Sequence, residues 1–247
     1  MQSSTLGDAF LRAGDCSYKL NKYMDAQVYY NEVINQKYTG FDYALYQKAI
    51  LKGLQGNLLD KALALEELAT KYPNSQYTDE ALYQLGDTYQ EMGKLEQAVP
   101  PLKRLVADFR GKSGLINQAL LKLGLISYNQ GNTSAAINYN KLVFANNPEA
   151  AEAKDALAAL EEIYVKDLNR PDEYFAFLET VPSYKVLPDP KKPISSLGYM
   201  EYIVQRGDYL IAIARKFNVS ERELATINGM EVNDALLVGK RLLIPRQ

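Results

Sequence analysis

The sequence predicts a mainly α-helical chain, a solenoid of stacked helix–turn–helix units followed by a small βααβ module. Three observations carry this reading. Segments around Ala26, Ala62, Ala98 and Ala136 align with one another at spacings of 36, 36 and 38 residues, and self-similarity at such a period marks a repeat architecture. Four prolines fall between residues 182 and 198, where periodic patterning stops. The last 46 residues begin on the alternating stretch Tyr202-Ile-Val-Gln and close on Arg241-Leu-Leu-Ile-Pro245, so a strand is expected at each end of two short helical patterns.

Each repeat reads as two helices joined by a tight turn. The turns are Leu20-Asn-Lys-Tyr23, Gln55-Gly-Asn-Leu58, Met92-Gly-Lys-Leu95 and Gln130-Gly-Asn-Thr133. The first helix of each unit places a small residue on its packing face, Gly14, Ala49, Gly86 or Gly124, which lets its partner approach closely. Pro73 stops one helix, and Asp79 or Thr78 is expected to cap the next. After the fourth unit Asn147-Pro148 breaks the chain. A helix is expected over 149–166 and a shorter one from Pro171 to about Glu179, the polar-faced cap that a solenoid needs. Units of this kind stack into a right-handed superhelix with a concave inner face.

Residues 182–198 read as a semi-rigid, proline-rich linker, with Lys191 and Lys192 as solvating charges. In the C-terminal module Gly207-Asp208 makes the first turn. Asp208 is expected to cap a helix that buries Leu210, Ile213, Ala214 and Phe217. Ser220 caps the second helix with Glu223 three residues on, and Leu224 and Ile227 face the core. The predicted organisation is a solenoid with capping helices over 1–181, a linker over 182–198 and the module over 199–247.

Composition narrows the function classes. The chain is 47% hydrophobic and 23% charged, the balance of a soluble globular protein. Its net charge is −2, too small a field to call for nucleic acid or an anionic membrane. No 18-residue apolar run exists, so no transmembrane helix is expected. The start, Met1-Gln-Ser-Ser-Thr-Leu, lacks the basic and apolar regions of a signal peptide; its abrupt opening on a helical pattern favours a removed leader, and a native start would place the protein in the cytoplasm. The lone Cys16 excludes an intrachain disulfide and is expected to be a buried small hydrophobe. Histidine is absent, which removes the commonest general base and metal ligand. Glu66-Glu67 and Glu161-Glu162 are adjacent in sequence, so each pair diverges on a helix. No nucleotide loop or metal cluster appears, and no catalytic residue, cofactor or metal is expected.

The stretch Ala81-Leu-Tyr-Gln-Leu-Gly-Asp-Thr-Tyr-Gln-Glu-Met-Gly-Lys-Leu-Glu-Gln-Ala98 resembles the tetratricopeptide repeat (TPR), although the chain contains no tryptophan. The linker Lys71-Tyr-Pro-Asn-Ser-Gln-Tyr-Thr-Asp-Glu-Ala81 is similar to repeats of bacterial envelope proteins, and Asp42-Tyr-Ala-Leu-Tyr-Gln-Lys48 resembles those of the Bacteroides group. The resemblance implies a TPR-like α-α superhelix over residues 7–181. On its inner face the first helices present tyrosines and acids at three- and four-residue spacing: Tyr18, Tyr43, Tyr46, Tyr83, Asp87 and Tyr128. Rigid aromatics with polar tips suit capture of a protein partner, and packing between repeats is the competing role for the same rings.

The run Tyr202-Ile-Val-Gln-Arg-Gly-Asp-Tyr-Leu210, Ile213-Ala-Arg-Lys-Phe217, Leu224, Asn228 and Val238-Gly-Lys-Arg-Leu-Leu-Ile-Pro245 resembles a LysM domain. That family binds N-acetylglucosamine glycans such as peptidoglycan or chitin in a shallow groove between two loops. The resemblance implies glycan contacts from Gly207, Asp208, Tyr209 and Leu210 on one wall and from Asn233, Asp234, Ala235, Leu236 and Leu237 on the other. Backbone amides would satisfy the acetamido group, and Leu210 with Leu236 would receive its methyl. The family usually carries Thr or Ser where Tyr209 stands, so Tyr209 either stacks on a sugar ring or crowds the groove. Gly207, Asn228, Gly239 and Pro245 read as determinants of the module's fold.

The reading is a non-enzymatic scaffold of the bacterial periplasm or cell envelope. Its solenoid binds a protein, and its C-terminal module binds peptidoglycan. The alternatives are an interaction scaffold whose LysM fold does not bind sugar, or an engineered fusion of two unrelated modules.

Overall fold

The computed structural model describes residues 2–178, 180–181 and 199–245; the expected linker 182–198 and Glu179 lie outside the described residues. The chain divides into two compact units, Met1–Ala156 and Leu157–Gln247.

The first unit is an array of helices: α1 (Gln2–Lys19), α2 (Tyr23–Asn35), α3 (Phe41–Leu54), α4 (Leu58–Lys71), α5 (Thr78–Glu91), α6 (Leu95–Asp108), α7 (Ile116–Asn129) and α8 (Thr133–Asn146). Each odd-numbered helix packs on the next, and each pair packs on the pair that follows. The four small residues sit at the pair contacts. A Cβ added at Gly14 would lie 2.6 Å from the Tyr30 ring, at Gly86 2.5 Å from Leu102, and at Gly124 2.8 Å from the Asn140 amide; Ala49 is fully buried. The four aligned alanines, Ala26, Ala62, Ala98 and Ala136, are at most 1% exposed. Each sits in the second helix of its pair; Ala26, Ala62 and Ala98 lie inside the apolar clusters that run along the repeats, and Ala136 is buried at the matching place in α8.

All four intra-repeat turns share one geometry. Their second residues, Asn21, Gly56, Gly93 and Gly131, have φ of 58°, 79°, 72° and 74°. The next residue donates its N–H five positions back: Lys22 to Ser17, Asn57 to Lys52, Lys94 to Tyr89 and Asn132 to Ser127, at 2.8–2.9 Å. This closure satisfies carbonyls that the ending helix leaves open. Asn57 and Asn132 then cap α4 and α8, accepting from the N–H groups of Asp60 and Ala135. Helix α5 departs from expectation. Its N-cap is Tyr77 with no side-chain cap, because the Thr78 hydroxyl instead donates to the Tyr72 carbonyl at 2.9 Å and is buried with the loop.

Cys16 is exposed, which corrects the expectation of a buried site. Gly14 faces Tyr30. Two residues on, the helix has rotated by about 200°, and Cys16 points away from α2. The helix expected over 149–166 starts later, as α9 (Glu152–Glu161), and ends in a π-helical turn over Glu162–Asp167. Helix α10 runs from Pro171 to Leu178.

The C-terminal module has strand β1 (Tyr199–Ile203), helices α11 (Leu210–Lys216) and α12 (Glu221–Ile227), and strand β2 (Arg241–Pro245). The strands are antiparallel, with Tyr199 opposite Pro245 and Ile203 opposite Arg241. Val204, Leu210, Ile213, Ala214, Leu224, Ala225, Leu242 and Ile244 form its core, each at most 4% exposed. Phe217 packs against that core.

Candidate functional site

Two loops of the C-terminal module face each other. The turn from β1 to α11 is built by Asp208, whose carboxylate accepts from the Gln205 N–H and the Tyr202 hydroxyl, both at 2.7 Å. The bond to Asp208 is the largest cause that holds the Tyr202 phenol above its usual range. Asp208 therefore does not cap α11 as expected. The N-cap is Tyr209, in extended geometry with no side-chain cap, because Asp208 is spent closing its own turn. Ser220 does cap α12, accepting from the Glu223 N–H at 3.1 Å.

The opposite loop is built by Asp234, which accepts from the Glu231 N–H at 2.9 Å. It is anchored at its end by Gly239, whose N–H reaches the Val204 carbonyl at 2.8 Å with φ at +85°. Lys240 lies beside this loop; burial lowers its ammonium below the usual lysine range, with Asp234 opposing the shift.

Between the loops lies a cleft of about 460 Å³. Of the nine expected contacts, Asp208, Tyr209, Leu210, Asn233, Asp234, Ala235 and Leu236 line it. Gly207 and Leu237 fall outside the lining; Gly207 turns the chain at φ +86°, and the Leu237 carbonyl accepts from the Lys240 N–H. Leu210 is 4% exposed and belongs to the core, whereas Tyr209 is 70% exposed at the rim. Ile211, Glu221 and Val232 complete the wall. The sequence reading did not name them, although Ile211, following Leu210 on a two-sided helix, signals an apolar side chain left outside the core. Both loop carboxylates are committed to their own backbones. With Glu221, three carboxylates line the cleft, so it disfavours an anion and leaves room for an uncharged ligand with apolar and amide-like surface.

The tyrosine-bearing face of the first unit is more divided. Tyr18 and Tyr46 line a cavity of about 480 Å³ with Gln47, Ile50, Gln84 and Glu91. Tyr46 stacks on Tyr77 at 5.8 Å, and its phenol is pushed up to about 12, first by burial and then by Glu80. Tyr43 donates to Asp15 at 2.8 Å, beside Tyr30, which donates to the same oxygen at 2.6 Å. Burial first, then these bonds, raise both phenols above the ordinary range. Tyr83 lies under the Lys122 ammonium at 5.5 Å, and Lys122 pairs with Asp87 at 2.6 Å. Tyr128, farther along α7 and 37% exposed, does not line the cavity. Tyr43 and Tyr83 thus bridge repeats, while Tyr18 and Tyr46 present a shared recess.

Residues 202–245 match the LysM domain, and residues 8–38 and 80–111 match the tetratricopeptide repeat. No curated protein sequence matches the chain. Among solved structures, a tetratricopeptide repeat protein from Parabacteroides merdae is 14% identical with a TM-score of 0.56, covering 72% of this chain and 66% of its own. MamA from Desulfovibrio magneticus is 16% identical with a TM-score of 0.53, covering 73% and 97%. BtubC from P. vanneervenii is 14% identical with a TM-score of 0.56, covering 77% and 86%. Identities this low establish the shared fold alone. Both module types are non-catalytic, and among the described residues no helix is long and apolar enough to cross a membrane.

Proposed function

We propose that a chain built from tetratricopeptide repeats and a LysM domain serves as a non-enzymatic scaffold of the bacterial cell envelope. The working parts are the repeats with their capping helices over 1–181, the segment 182–198 and the module over 199–247. The module holds an N-acetylglucosamine glycan, peptidoglycan above all, and the first-helix face of the repeats holds a protein partner.

The observation that carries the glycan reading is the cleft between the two loops, with exposed Tyr209 at its rim and both carboxylates turned to their own backbones. A pyranose offers an apolar face to the phenol ring, and its uncharged acetamido group meets no repulsion from the carboxylates that line the cleft. The buried area is small and sugars are well hydrated, so affinity per sugar is weak and avidity along the glycan supplies retention.

The test is co-sedimentation of the full chain with insoluble peptidoglycan. Retention is expected, and Tyr209→Ala is expected to lower affinity about fivefold, a loss of about 1 kcal/mol of aromatic contact. No retention of the intact chain sinks glycan binding. Stronger retention of Tyr209→Ala would assign that ring to crowding. Chromatography of the supernatant is expected to find no released muropeptides, as a non-enzymatic role requires.

A further inference from the structure

Helix α5 carries four carboxylates, Asp79, Glu80, Asp87 and Glu91, and no basic residue. Glu80, Gln84, Asp87 and Glu91 recur at three- and four-residue steps, so they form one stripe on the helix surface. Gln84 and Glu91 line the cavity that holds Tyr18 and Tyr46, so the stripe runs along its rim. Two cations reach the stripe. Lys122 neutralises Asp87 at 2.6 Å, while Lys61 donates to the Gln84 amide oxygen at 3.0 Å and leaves the carboxylates untouched. Among the described residues no ion pair reaches Asp79, Glu80 or Glu91. Partial burial first, and the neighbouring Asp79 second, hold the Glu80 carboxyl above its usual range. The cavity wall is apolar at Tyr46, Ile50, Leu54 and Leu58, and polar at Gln47 and at Lys61, whose ammonium is held by Gln84.

We infer that this recess and its acidic rim dock an extended basic segment of the partner protein, one apolar side chain entering the cavity and a lysine or arginine on either side meeting Glu80 and Glu91. The inference rests on the reading that the first-helix face captures a protein, and it names the chemistry of what is captured. Eleven residues separate the two glutamates, about 16 Å along a helix. An extended chain covers that in about five residues, and its side chains share a face only at even steps, so the two bases stand about six residues apart, with lysine length taking up the difference.

The probe is a fluorescein-labelled heptapeptide with lysine at both ends, leucine at its fifth position and alanine elsewhere, so that all three face one side of an extended chain; it is titrated with the full chain and read by anisotropy. Saturable binding that weakens with salt is expected. Replacing both lysines by glutamate, or the leucine by serine, weakens it. Glu80→Gln with Glu91→Gln, isosteric changes at exposed positions, weakens it about tenfold and flattens the salt dependence, with an unchanged circular dichroism melt. Equal binding to the double variant overturns the proposal. If the glutamate peptide binds as tightly and Tyr46→Ala weakens it, the basic class fails while capture by this face stands. If no peptide binds, the proposal fails, and the face is judged separately by partner capture with Tyr46→Ala and Tyr83→Ala.

Discussion

Asn228 joins two elements of the LysM domain through one side chain. Its amide donates to the carbonyls of Leu224 and Leu243 at 2.8 and 3.0 Å, and its oxygen accepts from the Leu243 N–H at 2.7 Å. It thereby closes the end of α12 and pairs the edge of β2 that faces away from β1. Asn228→Ala leaves the Leu243 groups without these partners and is expected to cost about 1–3 kcal/mol, read as a lowered melting temperature of the domain. Tyr46 gives a residue-scale prediction of opposite kind. Its phenol is raised from 10.0 to about 12, mainly by burial, so the folded repeats favour the neutral form. That contribution is complete below pH 10 and is lost as pH rises through 12. The repeats are expected to melt at falling temperature across this window, and Tyr46→Phe is expected to flatten the fall. The aromatic positions were legible in the sequence, but their division was not. Tyr43 is tied to Asp15, a partner 28 residues away, and no local spacing reveals such a bond.

At the scale of the element, the repeat turn is the unit that the chain reuses. Gly56, Gly93 and Gly131 hold the left-handed backbone that lets the following N–H close the helix end. Each Gly→Ala change is expected to cost about 1–2 kcal/mol in chemical denaturation, with Asn21 marking the one turn that already tolerates a side chain there. Gly86→Ala tests the pair contact instead. Its Cβ would sit 2.5 Å from Leu102, and about 1–3 kcal/mol of overpacking is expected. These positions could be read from the sequence because the repeat prints them four times. Helix starts were less legible. Thr78 and Asp208 both look like caps, yet each spends its oxygen on a loop contact, and such competition for one hydroxyl or carboxylate is decided by the fold of the loop.

At the scale of the whole molecule, the two proposed activities reside on separate surfaces, so they are expected to be separable by mutation. Tyr46→Ala with Tyr83→Ala should weaken capture of the protein partner and leave retention on peptidoglycan unchanged. Tyr209→Ala should do the reverse. Both are read by pull-down of the full chain, and loss of both activities in either variant would contradict independent modules. The repeats bury their core between successive helix pairs, as repeat arrays do, while the LysM domain carries its own apolar cluster.

The repeat period, the small residues at the pair contacts, the turn positions and the two-strand frame of the C-terminal module were readable from the order of residues alone. Each follows from local spacing and side-chain size, which the order of residues states directly. Folding in three dimensions was needed to turn Cys16 outward, to bring Tyr43 and Tyr30 onto the Asp15 carboxylate, and to leave Gly207 and Leu237 clear of the cleft that Ile211, Glu221 and Val232 complete. Those outcomes depend on which surfaces meet across long sequence separations, and packing sets them, not pattern.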